Sequence, residues 1–148
     1  MGLHQNRLDG KGRVSIPAAF RTVLRQRAAD GETPALVLRS SHKYKCIEGW
    51  AAADYEKMSA KFDTLEDFSN ERDDLTLLFF GDATPIVPDK EGRLVLPEMM
   101  VRYANLTDAV YFVGTRNTFE IWEPSAHEAR LAQARANAIN HRLPAMLQ

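Results

Sequence analysis

Asp9-Gly10-Lys11-Gly12-Arg13-Val14-Ser15-Ile16-Pro17 returns eighty residues later as Asp89-Lys90-Glu91-Gly92-Arg93-Leu94-Val95-Leu96-Pro97. Asp, Gly, Arg and Pro are identical, four of nine positions, and the Val/Leu and Ile/Leu exchanges keep two more apolar. Self-similarity of this kind indicates an internal duplication and makes repeat architecture the first consequence. Within each copy the residues from Arg to the one before Pro form a short strand, with polar and apolar residues alternating in the first. Ahead of the first strand, Asp9 to Gly12 reads as a turn whose two glycines relieve the steric cost of positive φ, so a tight hairpin is expected. Pro17 ends the strand and can open a helix at a position where a missing N–H costs nothing.

Working outward, Phe20, Val23 and Leu24 recur at helical spacing, and Asp30-Gly31 stops that helix. Strands are expected at 35–38 and 46–50. The second copy repeats the order: a strand at 83–87, a turn at 89–92, a strand at 93–96, a short helix with Met100, Tyr103 and Ala104 in the places of Phe20, Val23 and Leu24, then strands at 109–113 and 119–122. Between the copies, 51–62 reads as a helix with Tyr55, Met58 and Phe62 on one face. Ser69 or Asn70 can cap a second helix through the apolar run 75–80. A buried strand is the alternative for that run, because short apolar runs are ambiguous by period. Ser125 with Glu128 forms a capping box ahead of an Ala-rich helix running to about Asn140. This gives four segments: a first repeat over 4–53, a helical connector over 54–81, a second repeat over 82–125, and a C-terminal helix and tail over 126–148.

The 148 residues suit one compact domain or two small repeats sharing a core, and 45% apolar content is ordinary for a globular protein. No run of about 18 apolar residues and no secretory signal pattern is present, so a cytoplasmic protein is expected. The single Cys46 rules out an intrachain disulfide and reads as a small buried side chain. The net charge of −1 conceals polarity. Residues 1–50 hold nine Lys/Arg against four acids, a local net of +5, whereas residues 51–100 have a net of −7. Such asymmetry can build a positive face that attracts a polyanion.

Arg13 directly follows the turn, so its guanidinium projects near a loop tip. A planar fork of five N–H donors can hold a phosphate or pair with guanine O6 and N7. Lys11 adds a point charge. The carboxylate of Asp9 would repel phosphate, and its expected role is to accept N–H groups of its own turn. One copy alone reads as hairpin punctuation with a solvated arginine. His4, His42, His127 and His141 stand apart without metal-ligand spacing, and the carboxylates from Asp63 to Asp74 form a solvated run, so no enzyme, metal or cofactor is expected.

The pattern from Asp9 to Arg21, its echo from Asp89 to Arg102, and Asn117-Thr118-Phe119-Glu120-Ile121-Trp122 together resemble the MraZ family, bacterial transcriptional regulators with two SpoVT-AbrB-type repeats in one chain. The likeness runs from about Asn6 to Glu123. It implies an α+β, mainly β fold. In it, tandem AbrB-like swapped-hairpin repeats interleave as one double-split β-barrel pseudo-dimer with flanking helices. It also implies a nucleoid-associated homo-oligomeric ring that binds short direct repeats of double-stranded DNA. These lie in the promoter of the division and cell-wall gene cluster, which the family usually represses. Neither a membrane nor a small-molecule substrate is implied.

Carried over by residue, the DNA contacts fall on Arg13, supported by Lys11, and on Arg93, with Arg7, Arg21 and Lys90 completing the candidate set. Asp9, Gly12, Asp89 and Gly92 take the loop-shaping roles. Two departures are visible. Glu91 stands where the first copy has Lys11, and Val101 occupies the register of Arg21, with Arg102 one residue later. The first copy is therefore expected to carry most of the affinity. With three or four phosphate contacts per chain, ring avidity is expected to supply the rest. An AbrB-like protein acting mainly through a protein partner is the alternative. It would need a free binding tail, for which the residues after Asn140 are few.

Overall fold

A computed structural model describes residues 2–28, 35–65 and 70–148. The expected helix stop at Asp30-Gly31 and the capping position Ser69 lie outside the described residues. The first repeat contributes β1 (Leu3–Arg7), β2 (Arg13–Ser15), α1 (Ala18–Arg27), β3 (Leu36–Ser40) and β4 (Ile47–Ala51). The connector holds α2 (Ala52–Ala60), a 3-10 turn (Lys61–Thr64) and α3 (Asn70–Phe80). The second repeat gives β5 (Thr84–Ile86), β6 (Arg93–Val95), α4 (Glu98–Tyr103), β7 (Ala109–Thr115) and β8 (Thr118–Trp122). The chain closes with α5 (Pro124–Ala138) and a 3-10 turn (Ala145–Leu147). The apolar run 75–80 is helical, and the outward Leu77 is 71% exposed. A strand buried on both faces would have left no such residue.

Six strands form one antiparallel sheet in the order β1-β7-β8-β4-β3-β5, and β2 pairs with β6 in a separate ribbon. Exchanging each strand for its counterpart in the other repeat reverses that order and returns the same sheet. The first strand of each repeat joins the third strand of the other: Leu3 lies opposite Val113, and Ile86 opposite Leu36. At the centre, β4 meets β8 with Glu48 opposite Glu120. Like charges so placed repel, but each carboxylate accepts the indole N–H of the tryptophan two residues on, Trp50 at 3.1 Å and Trp122 at 3.0 Å.

Two expectations need correction. The turn from Asp9 to Gly12 forms, closed by the Asp9 N–H on the Arg13 carbonyl at 3.1 Å, but its arms do not make a hairpin ladder. β1 pairs with β7, and β2 with β6. The cause is burial. Val14 and Leu94 lie directly opposite in the ribbon and both enter the shared core, which a local hairpin would not bring together. Bonds from Ile16 N–H to Gly92 O and from Leu96 N–H to Gly12 O, each 2.8 Å, extend the ribbon symmetrically. As for the implied barrel, neither the sheet nor the ribbon closes on itself among the described residues. β2 and β6 pair with each other and form no ladder with the outer strands β1 and β5.

One core serves both repeats. Ile16, Phe20 and Leu24 from the first copy meet Leu96, Met100 and Ala104 from the second, all buried. The Phe20 ring stacks on Phe119 at 5.7 Å between centroids and lies 6.3 Å from Phe112. Each such side chain contributes about 1.5–3 kcal/mol by leaving water. The expected capping box at α5 is also corrected. Glu123 is the cap, accepting the Ser125 and Ala126 N–H groups at 3.1 and 2.8 Å, and Pro124 takes the first helical position. Glu128 instead accepts the Tyr111 hydroxyl at 3.1 Å.

Candidate nucleic-acid interface

The two loops are built alike. Asp9 Oδ1 accepts the Lys11 and Arg13 N–H groups at 2.9 and 2.8 Å, while Oδ2 accepts Arg13 Nε at 2.7 Å. Asp89 repeats the pattern with Glu91 and Arg93, at 2.9, 2.9 and 3.0 Å. The Arg13 backbone N–H, followed by its side chain, holds the Asp9 carboxyl below its ordinary value, and the Arg93 backbone N–H does the same first for Asp89. Gly12 and Gly92 take φ of 79° and 77°, a region costly to residues with a Cβ. Gly10, expected to share that role, has no positive φ.

This wiring matters for the arginines. Exposed ion pairs add little stability, but they fix where a side chain points. Asp9 takes only the Nε of Arg13, and among the described residues both terminal nitrogens of its fork are without a protein partner. Arg93 is held by Asp89 in the same way, yet one of its terminal nitrogens is taken by the Glu91 carboxylate. Asp89 and Glu91 together push the Arg93 guanidinium further up from its ordinary value, Asp89 first.

In the ribbon, Arg13 lies opposite Val95 and Ser15 opposite Arg93, and all four side chains face outward while Val14 and Leu94 face the core. Arg7, at the end of β1, joins Arg13 and Arg93 around a shallow concavity of about 250 Å³. Asn6 secures β1 to the ribbon through its side-chain N–H on the Ser15 carbonyl. A two-stranded ribbon is narrow enough to enter a DNA major groove, where arginine pairs with guanine. Ser15 and Val95 were not among the sequence-derived candidates. Their signal was the strand period, which places them on the same face as the two arginines.

The remaining candidates are distributed differently. Lys11 and Lys90 stand exposed at the two loop tips. Arg21 does not join the first loop. Carried on α1, it lies against Gly92 and donates from Nη1 to the Glu91 carbonyl at 3.2 Å, so it belongs to the second loop. Arg102, its near-equivalent, pairs with Glu98 on its own helix.

Two basic residues counted toward the positive face are committed to partners within the fold. Arg39 is 1% exposed, bonded to Glu48 at 2.9 Å and lying 4.3 Å from the Phe79 ring centre. Arg27 is held by Asp54 and Asn117 at 2.7 and 2.6 Å. Cys46 is buried, and desolvation pushes its thiol far up. His4 and His127 lie against aromatic rings, and His42 sits over Phe79 beside Arg39. No helix among the described residues is long and apolar enough to cross a membrane.

Fold and site thus define a tandem-repeat protein that fuses two arginine-tipped loops into one β-ribbon. A family model described as "MraZ protein, putative antitoxin-like" matches the chain twice, over residues 1–78 and 79–147. The chain belongs to the MraZ family. A Gluconacetobacter diazotrophicus protein named transcriptional regulator MraZ is 50% identical over 145 residues, covering 98% of this chain and 91% of the relative. Namesakes from Gluconobacter oxydans and Rickettsia bellii are 45% and 37% identical over 138 residues; each alignment covers 93% of this chain, and 84% and 89% of the respective relatives.

Proposed function

We propose that this protein is a sequence-specific DNA-binding transcriptional regulator. The observation that carries the reading is the outer face of the β2–β6 ribbon, where Arg7, Arg13 and Arg93 converge and the Arg13 fork is exposed with its terminal nitrogens unpaired among the described residues. The relatives' name, transcriptional regulator, supports the regulatory part of this reading. In this reading Arg13 makes the principal base contact, Lys11 and Lys90 meet backbone phosphates from the loop tips, and Arg7 and Arg93 flank the groove. The loop carboxylates shape and do not bind.

The palindromic strand order supports treating repeats 4–53 and 82–125 as an intrachain pseudo-dimer, with 54–81 as connector and 126–148 as an appended helix and tail. From the family likeness we infer a cytoplasmic, nucleoid-associated ring of subunits. It represses the division and cell-wall cluster that contains its own gene by binding direct repeats in the promoter. A few cations per chain favour such multivalency, since linked weak sites gain affinity without new contacts. No catalytic chemistry is assigned.

The test is a fluorescence-anisotropy titration of the full chain against the promoter upstream of its own gene. Arg13→Ala is expected to cost on the order of 1–3 kcal/mol and to relax base preference at one position. A folded Arg13→Ala protein that binds like the parent would show the ribbon assignment to be wrong.

A further inference from the structure

A cleft of about 240 Å³ separates α1 from the second loop, lined by Arg21, Leu24, Arg25, Pro88, Asp89 and Lys90 together with Gly92. Three cations face it. The side chains of Arg25 and Lys90 have no hydrogen-bond or ion-pair partner among the described residues. The Nε of Arg21 is buried without a partner, although its Nη1 meets the Glu91 carbonyl. The one carboxylate among the described residues that line it, Asp89, is already committed to its own loop. A buried N–H without an acceptor is costly, and a shift of the Arg21 fork from Gly92 toward an anion in the cleft would relieve it.

The internal two-fold gives an independent argument. Aligning Pro17 with Pro97 places Arg21 against Val101, Arg25 against Asn105 and Gly10 against Lys90. Every cation of the cleft is therefore replaced by a neutral residue at the equivalent place beside the first loop. The backbone differs as well. α1 continues through Arg27, whereas α4 ends at Tyr103 and Asn105 takes a φ of 54°, so the second helix stops where the first presents Arg25. The loop-shaping Asp and Gly are kept in both copies, so the three cations are not a requirement of the turn.

We propose that this cleft is a phosphate seat, in which Arg21, Arg25 and Lys90 hold one phosphodiester of the DNA backbone while Leu24 and Pro88 carry its deoxyribose. The cleft exceeds the size of a phosphate group, and apart from Asp89, which is turned to its own loop, its remaining wall of Leu24, Pro88 and Gly92 is apolar, which suits an attached sugar better than a free ion. The seat rests on the DNA-binding reading above. It makes the second loop a backbone anchor, supplied with charge by the helix of the other repeat, beside the base-reading first loop.

The experiment measures promoter affinity of the full chain across a salt series, for the parent and for Arg25→Ala, a surface change at a residue outside the contacts that the DNA-binding reading assigns. Losing one phosphate contact lowers the slope of log K against log salt by about 0.9. Over a fourfold rise in salt the parent should therefore lose about 3.5-fold more affinity than the variant. Preference for the promoter over a scrambled duplex should be unchanged.

A parallel arm titrates inorganic phosphate into the DNA-free protein and follows the Arg21 Nε–H resonance. A response in the parent that the variant lacks, with identical salt slopes, would assign the cleft to a free phosphorylated ligand and overturn the backbone contact. Identical slopes with no such response overturn the seat altogether. If the parent binds no DNA, the functional reading falls, and the phosphate arm alone decides whether the cleft holds an anion.

Discussion

Gly12 and Gly92 are equivalent by the internal two-fold, share a left-handed backbone, and differ in what a methyl group would meet. This makes Gly12→Ala and Gly92→Ala a matched pair. Each confers about 1–2 kcal/mol of backbone strain, because a Cβ crowds the carbonyl at positive φ. At Gly12 the new Cβ would sit 3.2 Å from the Leu96 carbonyl oxygen and 3.8 Å from Val95, which a shift of a few tenths of an ångström relieves. At Gly92 it would overlap the Arg21 Cδ, with Nη1 at 2.9 Å and Nε at 3.1 Å, so Arg21 must swing away.

That displacement has opposing terms. It gives up the 3.2 Å bond to the Glu91 carbonyl, about 0.5–1.5 kcal/mol net, and some packing of the aliphatic stem. It also rehydrates an Nε now buried without a partner, recovering about 1–3 kcal/mol. The terms nearly cancel. Urea unfolding should place both variants about 1–2 kcal/mol below the parent and within about 1 kcal/mol of each other. The DNA salt slope should fall only for Gly92→Ala, which alone empties the cleft of Arg21. A Gly92→Ala protein destabilised by about 3 kcal/mol or more beyond Gly12→Ala would refute this, since Arg21 would then be an anchor of the loop.

Three further outcomes follow from the geometry. Arg39→Met leaves the Glu48 carboxylate inside with only the Trp50 indole, and should cost about 3–5 kcal/mol by urea denaturation; amide exchange should quicken along α3, whose Phe79 rests on that cation. Glu123→Ala removes the cap of a helix that buries no residue, so a loss of about 1 kcal/mol should register as fraying of α5 in amide exchange, with little change in the global midpoint. Asp9 and Asp89 have folded pKa values below those of the unfolded chain, so their contribution is complete above about pH 4 and is lost as pH falls through the depressed values. In an NMR titration the Arg13 and Arg93 amide resonances should hold their folded positions to a lower pH than in a peptide of the loop, and parallel titration of the two would contradict it.

Legibility in the sequence followed the range of the interactions. The loop was readable because Asp9 and Arg13 are four residues apart, and a carboxylate at that spacing has its own turn as its nearest set of donors. The alternation of Arg13, Val14 and Ser15 gave the ribbon face. Which strand β2 would join was not readable, since the same pattern fits a local hairpin and a pairing with β6. The decision comes from the opposition of Val14 and Leu94 inside a core common to both copies. Arg39 was unreadable for a related reason. Its partner Glu48 lies across the β3–β4 pair and its aromatic cover comes from α3, so only tertiary structure takes it off the surface. At α5, Ser125 and Glu128 matched a capping pattern, but Pro124 starts the helix two residues earlier and brings Glu123 to the cap.

The inequality of the two copies has a physical pattern. Val14 and Leu94, Ile16 and Leu96, Phe20 and Met100 stay apolar in both because they share a core, where a change in one copy is felt by the other. Lys11 and Glu91, Ser15 and Val95, Arg21 and Val101 diverge at positions that meet their surroundings one copy at a time. A ribbon with two identical loops would carry true two-fold symmetry and match a palindromic half-site pair. Here, among the described residues, both terminal nitrogens of Arg13 are without a partner, Arg93 shares its fork with Glu91, and Arg21 reinforces only the second loop. Such a ribbon has a direction, and DNA bound to it must have one too. On the proposed DNA-binding reading, successive chains set head to tail along a promoter would each meet one asymmetric box in a single orientation, the arrangement that direct repeats provide.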